Sequence, residues 1–101
     1  MEPRTLKETL AALTRRGFSE QFQVVGDRLR AVASGKVFPA DQVTIKEYYR
    51  FEGVSDPDDM SILYAIETRN GLRGTLADAF GVYADPQVSR FMKGVAQDLK
   101  S

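Results

Sequence analysis

The chain contains neither cysteine nor histidine among its 101 residues. Without cysteine it can form no disulfide, thiolate zinc site or thiol nucleophile. Without histidine it lacks the usual general base and the commonest transition-metal ligand. Serine–histidine and cysteine–histidine catalysis within one chain are therefore excluded, which leaves carboxylate, lysine, tyrosine and hard-metal chemistry.

The chain also lacks net charge and long apolar runs. Fourteen basic and fourteen acidic side chains cancel, so no global field attracts nucleic acid or an anionic membrane. No stretch reaches the roughly 18 apolar residues of a membrane span, and we expect a cytoplasmic protein with no membrane association. A hydrophobic fraction of 43% predicts a single folded domain over residues 1–101.

Helix signals stand at both ends of the chain. Thr5 and Glu8 have the spacing of a capping box, which predicts a helix over residues 5–16. Asp85 is a good N-cap and Pro86 a favoured first helical residue, so a second helix should begin there. Its apolar stripe consists of Val88, Phe91, Met92, Val95 and Leu99.

The residues between the helices alternate in the manner of strands. We predict a hairpin followed by three longer strands, over residues 21–25, 28–33, 43–52, 60–68 and 72–80. Residues 34–42 should form a loop with one helical turn near its end. Asn70-Gly71 is a strong signal for a two-residue type I′ turn, which would place Leu63 opposite Asp78.

The strand over residues 43–52 shows its two faces clearly. Val43, Ile45, Tyr49 and Phe51 should share one face, with Glu47 as its single polar member. The prediction for the whole chain is an α+β domain. It has a single antiparallel sheet of about five strands in meander-like order, with an N-terminal and a C-terminal helix packed on one face.

A cluster of acidic residues follows this strand. Asp56, Asp58 and Asp59 lie within four positions, near Glu52, and carboxylate oxygens are the ligands that magnesium and calcium prefer. The spacing is not that of an EF-hand, because Pro57 interrupts the series. The cluster can be a solvated turn, a contact for an organic ligand or protein, or a metal site, and the sequence leaves the metal undetermined.

Tyr48, Arg50 and Glu52 alternate along the second face of the same strand. A stacking ring, a bidentate cation and a carboxylate in a row could recognise a ligand or a second copy of the chain. The alternative is cross-strand pairing on a solvent face, where each pair contributes roughly 0.2–1 kcal/mol.

Asp78 lies in the otherwise apolar strand TLADAF. A carboxylate is costly to bury unless it is paired, so Asp78 should face a pocket or bind Arg50, Arg73 or a tyrosine hydroxyl. Gly74 and Gly81 flank this strand, and a glycine in a strand predicts a bulge or the close approach of another backbone, with a ligand as the minority explanation.

Four segments stand out: YRFEG at 49–53, SDPDD at 55–59, ILYAI at 62–66 and GTLADAFGVYAD at 74–85. Together they resemble a family of small bacterial proteins, and the similarity covers most of the chain. Some members are labelled phosphoribosylpyrophosphate synthetase, which implies pyrophosphoryl transfer from ATP to ribose 5-phosphate. That reaction needs a nucleotide cradle and a phosphate loop, and neither GxxxxGK[ST] nor GxGxxG occurs in the chain.

These observations favour a non-catalytic binding or regulatory domain without a cofactor. It would bind a protein partner or a small ligand, and pair as a homodimer through its sheet. One alternative is a metal-dependent enzyme acting on a phosphorylated small molecule, with carboxylates from Glu52, Asp56, Asp58, Asp59 and Asp78. A second alternative is nucleic-acid binding, which net neutrality disfavours, through Arg15, Arg16, Arg28 and Arg30.

Overall fold

The computed structural model describes residues 5–51, 61–79 and 85–97. Within these residues two helices flank one sheet, and the class is α+β as predicted. The helices are α1 (Leu6–Arg15) and α2 (Pro86–Lys93). The strands are β1 (Glu20–Val25), β2 (Arg28–Ala31), β3 (Val37–Pro39), β4 (Val43–Phe51), β5 (Ser61–Thr68), β6 (Arg73–Ala79) and β7 (Ala96–Gln97), with a 3₁₀ turn at Ala40–Gln42.

Both helices begin where the sequence predicts. Thr5 Oγ1 accepts the backbone N–H of Glu8 at 3.1 Å, which is one half of the capping box. Asp85 caps α2 by accepting the backbone N–H of Gln87 at 2.9 Å. The second helix is shorter than its apolar stripe suggests, because Gly94 ends it and Val95 lies beyond, still buried. Leu99 lies outside the described residues.

The sheet is larger than predicted, and it is mixed. Across the described residues seven strands run in the order β3-β2-β1-β6-β5-β4-β7. Two of the pairs, β1 with β6 and β4 with β7, are parallel. The prediction of about five antiparallel strands in meander-like order is therefore correct only in part. The five predicted strands form, and the pairs β1–β2, β4–β5 and β5–β6 are antiparallel, but the sheet has two further strands and two parallel pairs. The two extra strands have only three and two residues, too few to show alternation, and the parallel pairs join segments distant in sequence.

The two helices lie on opposite faces of β5, so the prediction that both cover one face is also wrong. Side chains alternate between the faces of a strand. Leu63 and Ala65 pack with Leu13 of α1, whereas Ile66 packs with Val88 of α2. The α1 and α2 faces are named below after these helices. With apolar positions on both sides of β5, each face needs its own cover.

The β5–β6 hairpin differs from the prediction by one residue of register. Thr68 pairs with Leu72, its N–H donating to the Leu72 carbonyl at 2.8 Å, and Gly71 has a φ of +88°. This is a three-residue loop with glycine in the left-handed position rather than a two-residue turn. Asp78 consequently lies opposite Ile62. A slip of one residue moves a side chain to the other face, so Asp78 belongs to the α2 face.

Strand β4 contains a bulge that the alternation did not predict. Its pairing with β5 shifts between Ile45 and Glu47, leaving Lys46 as the extra residue. Tyr48 and Arg50 therefore share the α2 face with Ile45, and the predicted set of Val43, Ile45, Tyr49 and Phe51 is divided between two faces. Glu47, the polar exception in the predicted apolar face, marks the position where the alternation breaks.

A cleft between two diverging strands

Strands β1 and β6 come together at a single point. Within the described residues their parallel ladder joins Glu20 to Gly74 and Gln21 to Thr75. A Cβ atom added to Gly74 would lie 2.2 Å from the backbone oxygen of Glu20. The close backbone approach predicted from Gly74 is confirmed, and only glycine allows β1 to pair at this position. Gly81 lies outside the described residues.

Beyond this contact the two strands separate and a cleft of about 630 Å³ lies between them. Phe22–Val24 of β1 and Leu76–Asp78 of β6 line it, together with residues of α1 and the start of α2. The cleft opens toward the carboxyl ends of two parallel neighbours. Crevices of this kind, where adjacent parallel strands part, are where open α/β sheets bind ligands, and the volume lies within the roughly 300–1,000 Å³ of small-molecule sites.

Main-chain groups of both strands face the cleft. In an antiparallel pair, alternate residues direct both N–H and C=O toward the same neighbour. Gln21 accepts the N–H of Val32 beyond β2, so Val24, three residues on, directs its groups the other way, toward β6. By the same rule, the pairing of Thr68 with Leu72 directs the groups of Ala77 toward β1. Among the described residues, neither Val24 nor Ala77 has a strand partner on that side.

The lining of the cleft has a marked charge bias. Among the described residues, the lining includes the acidic Glu20, Asp78 and Asp85 and neither lysine nor arginine, although the chain has fourteen basic residues. The backbone N–H of Asp85 donates to Asp78 Oδ1 at 3.3 Å, which holds the two residues side by side. A positively charged group entering the cleft would therefore meet carboxylates.

The two walls of the cleft differ in chemistry. On the α1 face, Leu6, Leu10 and Ala77 line the cleft together with the uncharged polar residues Thr14, Gln21, Gln23 and Thr75, and Leu10 is 39% exposed. On the α2 face, Asp78 and Asp85 accompany the buried Val88. Among the described lining residues, the α1 side of the cleft is therefore uncharged and the α2 side is acidic.

Three of the predicted site residues share the α2 face with Tyr64. Tyr48 pairs with Tyr64, and Arg50 pairs with Ile62, which pairs in turn with Asp78. The Arg50 guanidinium lies 5.9 Å from the centroid of the Tyr48 ring. Burial raises the pKa of the Tyr64 hydroxyl above its ordinary value, and the negative charge of Asp78 raises it further, whereas Arg50 opposes the rise.

The remaining predicted residues lie outside the described part of the chain. They are Glu52, Asp56, Asp58 and Asp59. Within the described ranges, no group of three or more acidic residues is arranged to hold a metal ion. The carboxylate metal site stays a prediction, with Asp78 its single described member.

The α1 face carries a charge network that sequence reasoning did not predict. Glu47 accepts two hydrogen bonds from Arg16 and one from the hydroxyl of Tyr49. Glu67 accepts from Arg73 Nε at 2.7 Å and lies 3.7 Å from Lys46 Nζ. The bulge creates this arrangement because it puts Lys46 and Glu47 on the same side of β4.

No protein-family model matches the chain, and no curated protein or solved structure is significantly similar to it. The resemblance to the family of small bacterial proteins stays a prediction. None of the described helices is long and apolar enough to cross a membrane.

Proposed function

We propose that this protein is a non-catalytic binding domain that takes a positively charged ligand into the cleft between β1 and β6. The observation that carries the proposal is the combination of a 630 Å³ cleft with a lining that, in the described part of the chain, holds three acidic residues and no basic residue. Grouped carboxylates lower the free energy of a bound cation, and they do so more strongly where surrounding protein reduces the effective dielectric constant.

The sequence also favours a binding role, but the proposed site lies in the cleft and not on β4. Asp78 belongs to the predicted site and lines the cleft, whereas Tyr48 and Arg50 lie two strands away on β4. The supporting feature in the sequence is Gly74, since a glycine within a strand indicates the close approach from which β1 and β6 then diverge.

An amide-resolved NMR titration tests the proposal. The probes are arginine amide and spermidine, with glutamate at equal ionic strength as the anionic control. We expect the cations, and not glutamate, to shift the amide signals of residues 20–24 and 75–78. Glu20→Gln or Asp78→Asn should weaken this binding about three- to tenfold, because each removes one nearby charge.

Asp41→Asn supplies the matched control, since Asp41 is an exposed acid of the 3₁₀ turn that does not line the cleft. It should leave the affinity unchanged. Equal weakening by Asp41→Asn and Asp78→Asn would mean that the cations respond to net charge alone, and the proposal would then be wrong. Amide shifts that the cations cause only in strands other than β1 and β6 would also show that the proposal is wrong.

The homodimer remains a second proposal, supported by the Tyr48 ring, which is 43% exposed and has Arg50 beside it. Sedimentation equilibrium of the parent protein and of Tyr48→Ala tests it. A dimer should be present in the parent and weakened at least tenfold in the variant. A dimer with a micromolar Kd, roughly 8 kcal/mol of association free energy, would be mostly formed at 100 µM, so a monomeric parent at that concentration would exclude it.

A further inference from the structure

Charge is not the only feature of the cleft that a ligand could use. The stretches of β1 and β6 that border it also direct main-chain groups inward, at Val24 and Ala77. We propose that the ligand is an extended peptide segment that adds a strand between β1 and β6, with basic and apolar side chains alternating along it. This inference rests on the proposed function and narrows its ligand to one class.

The main-chain geometry supports an extended partner. Val24 and Ala77 direct N–H and C=O groups into the cleft from opposite sides, beyond the point where Gln21 and Thr75 end the ladder. A peptide placed between the strands could pair with both of them. Strand addition of this kind gives affinity through main-chain hydrogen bonds and specificity through pockets for alternate side chains.

The two walls of the cleft determine which side chains of the inserted peptide would point to each face. Successive side chains of an inserted strand point to opposite faces of the sheet. Those on the α1 face would meet Leu6, Leu10 and Ala77 beside the uncharged Gln21 and Gln23. Uncharged side chains with an apolar surface, such as valine, fit there. Peptide side chains on the α2 face would meet Asp78 and Asp85, so lysine or arginine fits there. A small amine would use the acidic side alone and could not form strand pairing with Val24 and Ala77.

Peptides of fixed composition test this inference on the whole protein. The first probe is an N-acetylated, C-amidated pentapeptide, Val-Lys-Val-Lys-Val. The second, Lys-Lys-Val-Val-Val, has the same composition without the alternation. The third is the first sequence with alternate backbone nitrogens methylated, which removes donors while keeping every charge. Binding is followed by amide shifts of the protein and by calorimetry.

We expect the alternating peptide to bind and to shift the amides of Val24 and Ala77 while slowing their hydrogen exchange. The rearranged and the methylated peptides should bind at least tenfold more weakly. Leu10→Ser should weaken the alternating peptide at least threefold. Val37→Ser is the control, because Val37 is similarly exposed at 48% on β3, outside the cleft.

The outcomes separate this inference from the proposed function. If all three peptides bind in the cleft with equal affinity, charge alone decides binding; the strand-addition inference is then overturned and the proposed function stands. If neither the peptides nor arginine amide and spermidine shift the cleft amides, both are overturned.

Discussion

Arg16 at the end of α1 and Glu47 in the bulge of β4 form a two-point ion pair, with Arg16 Nη1 donating to Glu47 Oε1 at 3.0 Å and Nη2 donating to Oε2. Thirty-one residues separate them in sequence. The pair fixes the end of α1 against the sheet, and the Glu47 carboxylate, with 22% of its side chain exposed, also accepts from Tyr49. It raises the pKa of the Arg16 guanidinium, chiefly through the hydrogen bonds to Glu47.

A double-mutant cycle measures this pair. Glu47→Gln should cost about 1 kcal/mol of unfolding free energy, and Arg16→Met less, because the arginine is half exposed and screened by solvent. Urea unfolding of both single variants and the double variant should give a coupling of about 0.5–1 kcal/mol. Strictly additive losses would mean that the pair does not stabilise the fold.

Gly74→Ala should destabilise the protein by about 3 kcal/mol, because its Cβ would lie 2.2 Å from the backbone of Glu20 and force β1 away. Gly94→Ala is the matched control: its φ is −92° and its nearest neighbour, the Cβ of Ala40, would lie 3.4 Å away. The control should change stability by no more than about 0.5 kcal/mol. Thermal and urea unfolding compare the two, and similar losses would show that the β1–β6 contact is not tight.

Acid should remove a contribution of Glu67 to stability. The hydrogen bond from Arg73 holds the pKa of the Glu67 carboxyl below its ordinary 4.5. The unfolded chain therefore binds this proton at higher pH than the folded one, so the contribution is present above pH 4.5 and is lost as the pH falls through the folded pKa. Wild type should exceed Glu67→Gln in stability at pH 7, and the difference should shrink toward pH 3 in urea titrations. A constant difference across that range would contradict the assignment.

The pKa of the Tyr64 hydroxyl should respond to the charges of Asp78 and Arg50. Asp78→Asn should lower the pKa of the Tyr64 hydroxyl and Arg50→Gln should raise it, because Asp78 raises the pKa of the native hydroxyl and Arg50 lowers it. In Asp78→Asn the pKa should stay above the ordinary 10.0, since burial is the larger cause of the rise. NMR titration of the Tyr64 ring carbon measures both variants. Shifts in the same direction would place Asp78 or Arg50 on the wrong face.

Much of the fold follows from local signals. The Thr5 cap, the Asp85–Pro86 helix start and the alternation of β5 each depend on neighbours within a few residues, so the sequence displays them directly. Of the candidate site, the sequence pointed to Asp78 and, through Gly74, to the close approach of a second strand. It did not point to Glu20 or Asp85 as companions of Asp78, because nothing local links positions 20, 78 and 85.

The sequence by itself determined where the helices begin, the strands β1, β2, β4, β5 and β6 within a few residues, and the exclusion of thiol and imidazole chemistry. Tertiary structure decided which faces these strands present. A three-residue loop at Gly71 and an extra residue at Lys46 each reverse the side to which the following residues point, and together they bring Asp78 onto the face of Tyr48 and Arg50. The parallel contact at Gly74, and with it the cleft, depends on backbone packing between segments more than fifty residues apart, which no local pattern encodes.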